Sequence, residues 1–102
     1  MNRLHVSSVL LLSCIPFMLA AEVSSAEPGE KLFNSTALGS NGRSCATCHP
    51  GGMKLQGIDQ YDDEMLKEMI NFCIRDALQG EMLKPESAEL NALLEYVKTI
   101  KP

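Results

Sequence analysis

The sequence predicts an all-α fold, and three observations lead to it. Apolar residues recur at three- and four-residue steps over residues 65–78 and again over 90–100. No stretch beyond residue 26 alternates apolar and polar residues as a half-buried strand does. Prolines, acids and glycines stand where helices are expected to start and stop. In chain order, Pro28-Gly29-Glu30 opens a short first helix that runs through Lys31, Leu32 and Phe33 to Asn34; proline and an acid suit a first turn. A loop over 36–44 follows, with the turn-forming run Gly39-Ser40-Asn41-Gly42. Pro50-Gly51-Gly52 begins another loop that reaches about Asp59. The second helix carries Met65, Leu66, Met69, Ile70, Cys73, Ala77 and Leu78 on one face. Asp59, Asp62, Asp63 and Glu64 load its start, and Gly80 ends it. Pro85-Glu86 begins the last helix, with Leu90, Leu93, Leu94, Val97 and Ile100 in one stripe and Lys98 and Lys101 at its end.

The chain has 102 residues, a net charge of −4 and 22% charged residues. That length excludes a multidomain protein or a large barrel, and the acidic balance argues against nucleic-acid binding. Asn2, Arg3 and His5 precede an almost wholly apolar run over 6–21, and the small residues Ser24-Ser25-Ala26 follow. The run is short and ends in a cleavage-like site, so residues 1–26 read as an export signal and not as a membrane span. Cleavage is expected after Ala26, with Ala21 as the alternative, leaving residues 27–102 as one periplasmic domain without a transmembrane span. A lipid anchor at Cys14 is the weaker alternative. A domain this small buries only about 60% of the surface that its unfolded chain exposes. With no Trp, 2 Tyr and 3 Phe in the whole chain, the domain's interior lacks bulk.

Of the four cysteines, Cys14 falls in the signal; Cys45, Cys48 and Cys73 remain, an odd number that does not balance as disulfides. Cys45-Ala46-Thr47-Cys48-His49 is the C-x-x-C-H pattern of covalent haem c attachment. Two thiols three residues apart reach the two vinyl groups of one haem, and the adjacent imidazole reaches the iron as proximal ligand. A thioredoxin-like pair needs a βαβ context that is lacking, and a zinc site needs a second Cys/His pair at matching spacing. One covalently bound haem also supplies the apolar bulk that the interior lacks.

Over residues 28–101 the chain resembles the class I cytochrome c family. Gly29 and Phe33, four apart, match the pattern of the family's first helix, and Tyr96 matches the aromatic position of its last. The resemblance implies a small helical fold packed around a covalently bound haem, with those two helices crossing closely. It also bears on the distal iron ligand. Met53, Met65, Met69 and Met82 follow the signal, and Met65 and Met69 read as core filler on a helix face. Met82 lies in the loop Gly80-Glu81-Met82-Leu83-Lys84-Pro85, where the family presents its axial methionine. Cys73 is the rival. The stretch Ile70-Asn71-Phe72-Cys73-Ile74-Arg75, followed by Gly80, Leu83, Ser87, Glu89 and Tyr96, resembles the haem domains of sulfur-oxidation cytochromes and thiosulfate dehydrogenases, where such a cysteine ligates iron as thiolate. The chain departs from that group in carrying Met82 where the group has proline, and one haem motif where the dehydrogenases have two. The plainer reading makes Cys73 a small buried residue beside Met69 and Ala77. The proline whose carbonyl orients the haem histidine in many class I cytochromes is missing, so a backbone carbonyl within 51–59 is expected to take its place.

The expected function is single-electron carriage through a His49/Met82-ligated iron. Partners are redox proteins that dock transiently, and the haem-attachment machinery during maturation. Asp59, Asp62, Asp63, Glu64 and Glu68 either steer a basic partner or simply compensate the helix dipole. The alternative is a catalytic or sensing haem domain that oxidises sulfur anions with Cys73 as distal ligand, or that binds small gases at an open site. Arg75 is the one cation near Cys73 in sequence, a poor setting for an anionic substrate.

Overall fold

The computed structural model describes residues 26–100 and the single position 13. The expected export signal, with its Ala21 cut and the Cys14 anchor, lies outside the described residues apart from Ser13 and Ala26. The described chain is built from helices and turns: α1 (Ala26–Asn34), α2 (Cys45–Cys48), α3 (Asp63–Phe72) and α4 (Ala88–Thr99). Among the described residues there is no strand, and no helix is long and apolar enough to cross a membrane. The fold is all-α.

Helix α1 begins two residues before the expected Pro28, which puts Pro28 in the first turn, where its missing N–H has no helical partner to lose. Asp62 caps α3, its carboxylate accepting from the Met65 amide at 2.8 Å, with Asp63 and Glu64 in the first turn. The expected helical run to Leu78 is present, but its last part, Cys73–Ala77, widens into a π turn in which the Leu78 amide donates to the Cys73 carbonyl at 3.2 Å. Gln79 (φ 53°), not the expected Gly80, takes the left-handed conformation that ends the run. Gly80 serves a different purpose: a Cβ there would collide with the Leu38 carbonyl. The loop after α1 comes this close because it caps the helix end. Ser40 donates from its backbone amide to Leu78 O (3.0 Å) and from its hydroxyl to Gln79 O (2.7 Å), and the Asn41 side-chain Nδ2 donates to Ala77 O (2.9 Å).

The last helix starts at Ala88, not at Pro85. Lys84–Ser87 closes a turn through Ser87 N to Lys84 O (2.9 Å), and the Ser87 hydroxyl then accepts from the Leu90 amide (3.2 Å) as N-cap. Helices α1 and α4 cross at Gly29, where an added Cβ would run into the Ala92 carbonyl. One turn on, Phe33 meets Tyr96 edge-on, with centroids 5.2 Å apart and planes at 65°. Phe33, Ile74, Leu78, Leu93 and Val97 form the buried cluster that ties α1, the π turn and α4 together.

Helix α3 is anchored on its other side by Asn71, which is buried. Its side-chain amide donates to Leu83 O (2.9 Å) and its oxygen accepts from Leu83 N (2.8 Å), so one residue satisfies both backbone groups of the following loop. Asn71→Ala leaves that part-buried pair without partners and is expected to destabilise the fold by about 1–3 kcal/mol, measured by urea unfolding.

Candidate functional site

The Cys45-to-His49 segment folds as one helical turn because both of its ends are satisfied locally. The Ser44 amide donates to the Thr47 hydroxyl (2.9 Å), the Ser44 and Thr47 hydroxyls lie 3.2 Å apart, and the His49 amide donates to Cys45 O (2.9 Å). Four residues apart on a turn, Cys45 and His49 share a face. Both line one cavity of about 100 Å³. Its remaining walls come from Phe33 of α1, from Leu55 and Ile58 of the loop, from Leu66, Met69, Ile70 and Cys73 along α3 and the π turn, and from Leu93 and Val97 of α4. Cys48 is exposed and is not part of that lining.

The imidazole is held from behind. Nδ1 of His49 lies 2.8 Å from the Met53 carbonyl oxygen, which only accepts, so Nδ1 carries the proton and Nε2 keeps its lone pair. The expected acceptor within 51–59 is therefore Met53 O. Two left-handed glycines, Gly51 (φ 61°) and Gly52 (φ 80°), curl the backbone back so that it reaches the ring. Gly52 is also buried against Ile100, where a side chain would collide.

Of the five sulfurs considered beyond the Cys45–Cys48 pair, two reach the cavity. Met69 and Cys73 stand in its wall; Met53 and Met65 are 59% and 45% exposed and do not. Met82 is 49% exposed and is not among the lining residues, its loop being held by Asn71 with Leu83, not Met82, turned to the core. Met69, expected as core filler, thus shares a wall with Cys73, which opens the π turn. Cys73 is exposed and not the buried residue of the plainer reading; partial desolvation of its sulfur still pushes the thiol up, with Cys48 and then Asp76 adding to the shift. Burial likewise raises Cys45, and Cys73 adds to it, which places these thiols within electrostatic reach of one another.

Arg75 is already engaged. It pairs with Asp76 through two hydrogen bonds (2.7 and 2.9 Å) and lies 5.0 Å from the centroid of the Phe72 ring. A second cavity, about 530 Å³, adjoins the first and shares Leu55, Ile58 and Leu66 with it. It carries the polar groups that the first lacks: Asp59, Tyr61, Asp63 and Lys98.

Among the described residues, no three His, Cys, Asp or Glu side chains are disposed to hold a bare metal ion. A haem makes no such demand, since the porphyrin brings four nitrogen ligands of its own and needs only one or two from the chain. The first cavity is smaller than the roughly 300–1,000 Å³ usual for a cofactor site. The donor set and the apolar walls fit a haem on condition that the ring extends past Leu55, Ile58 and Leu66 into the adjoining space. Compared with protein-family models, with curated proteins and with solved structures, the chain matches none.

Proposed function

We propose that the chain is a monohaem c-type cytochrome of the periplasm that carries single electrons between transient redox partners. The observation that carries the proposal is the His49 arrangement: an imidazole one residue after a C-x-x-C turn, its Nδ1–H given to Met53 O, its ring in the wall of an apolar cavity beside Cys45. Cys45 and Cys48 would hold the porphyrin covalently and His49 would hold its iron. The group supplies a reversible one-electron couple; the chain supplies burial, ligand orientation and electrostatics. Phe33, Leu66, Leu93 and Val97 exclude water from the ring and raise the cost of net charge at the iron. A redox titration of the pure protein is expected to give one reversible one-electron step with no turnover of thiosulfate.

The sixth ligand on this account is a sulfur of α3 or its π turn, because Met69 and Cys73 share the cavity with His49 whereas Met82 stands outside it. Met82→Ala is then expected to leave the visible spectrum of the ferric protein unchanged. Met69→Leu is expected to abolish the Met-to-iron charge-transfer band. The position of Cys73 in the same wall favours a second reading, a thiolate-ligated haem that acts on sulfur anions. There Cys73→Ser, and not Met69→Leu, would remove the low-spin signal. Arg75, tied to Asp76 and Phe72, gives an anion little to bind, so electron carriage remains the proposal.

A further inference from the structure

We propose that the outer face of α3 is the docking surface for a basic redox protein whose contact patch is apolar at its centre; this rests on the electron-carrier reading above and gives the chemistry of the partner. Helix α3 buries Leu66, Lys67 and Asn71, yet it also leaves large apolar side chains exposed. Met65 and Phe72 are both nearly half exposed and stand two turns apart on one face, with Glu68 between them. Met69 marks the edge at which this face meets the cavity that His49 also lines. Met53 and Met82 are as exposed, but they lie in loops away from this helix.

The charge of the chain is concentrated around this face. Over residues 59–76, six acids (Asp59, Asp62, Asp63, Glu64, Glu68 and Asp76) stand against two bases (Lys67 and Arg75), a net −4 that equals the net charge of the whole chain. Both bases are engaged within the segment: buried Lys67 reaches Glu64 at 3.6 Å, and Arg75 pairs with Asp76. Helix-dipole compensation accounts for Asp62, Asp63 and Glu64 at the start of α3, but it fades within the first turn. It leaves Glu68, in the second turn, and Asp76, beyond the helix end, unexplained. Glu68 has no ion-pair partner among the described residues. An acidic rim around exposed Met65 and Phe72 complements an apolar patch ringed by Lys or Arg, steers it on approach and repels an acidic protein. Two such anchors suit the small contact, below about 1,200 Å², of redox complexes that form and part quickly. A partner seated there stands on the helix that carries the sulfur proposed to ligate the iron.

The test uses mitochondrial cytochrome c, a basic protein with a lysine-ringed apolar patch, as the probe. With both proteins reduced, the methionine methyl groups of the haem-loaded wild type are followed by NMR as the probe is added at low salt. The Met65 methyl is expected to shift several times more than those of Met53 and Met82. The second-order rate of electron exchange with the same probe is then compared in Glu68→Lys and in Glu30→Lys, an equal change of charge on α1. Glu68→Lys is expected to slow the exchange about tenfold at low salt and little at high salt, and Glu30→Lys much less. Equal slowing in the two variants, or shifts at Met53 and Met82 as large as at Met65, would overturn the docking face while leaving the haem reading intact. A wild type without a Soret band would overturn that reading and the docking face with it.

Discussion

Gly29→Ala is expected to destabilise the protein by about 1–3 kcal/mol, although helix propensity alone predicts the opposite sign. In an exposed helix interior, alanine is better than glycine by up to about 1 kcal/mol. At the α1–α4 crossing the new methyl would meet the Ala92 carbonyl and sit 2.7 Å from Tyr96 Cβ, both on a helix that cannot give way without losing its buried stripe. The helices would have to separate, and the Phe33–Tyr96 contact would open with them. Against a total stability of about 5–15 kcal/mol for a small domain, the loss is large. Thermal unfolding followed by circular dichroism measures it. A raised midpoint would mean that the close crossing is not what holds α1 in place.

The second large effect is expected from Cys45→Ser with Cys48→Ser. Made alongside haem-attachment machinery, this double variant should lose covalently bound haem entirely, because no thiol of the motif remains to form a thioether. Cys73 is no substitute, since it sits on the π turn and not on the His49 turn. The cavity would then lack its filler in a domain with 2 Phe (Phe33, Phe72), 2 Tyr and no Trp. Vacant apolar volume destabilises by roughly 24 cal/mol per Å³, so about 100 Å³ corresponds to about 2 kcal/mol. The serine variant is therefore expected to be both colourless and less stable than wild type.

How far the sequence anticipates the structure follows from the range of each interaction. Helix positions rest on local periodicity, and α1, α3 and α4 lie where Phe33, Leu66 and Leu93 repeat at helical steps. The Gly29–Phe33–Tyr96 crossing was expected only from the resemblance to class I cytochromes c, because local periodicity does not say which helix α1 meets. An acceptor for His49 was expected within 51–59, but its identity as Met53 O needed the two left-handed glycines to be placed in space. At the last helix, Pro85 looked like a start; Ser87 wins because a side-chain cap on the Leu90 amide satisfies a donor, which proline only avoids. The π turn at Cys73 and the left-handed Gln79 have no local signature, since both depend on Ser40 and Asn41 arriving from another part of the chain. Met82 illustrates the same limit. Its loop position follows from sequence order, but which way the loop faces is decided by Asn71, twelve residues from Leu83 and buried between the two.

The most direct test is the intact mass and absorption spectrum of the wild-type chain exported in cells that carry haem-attachment machinery. One haem added covalently per chain, with a Soret band and sharp reduced bands that survive denaturation, is the expected result. A folded, helical protein of unmodified polypeptide mass and no colour would contradict the assignment of Cys45, Cys48 and His49.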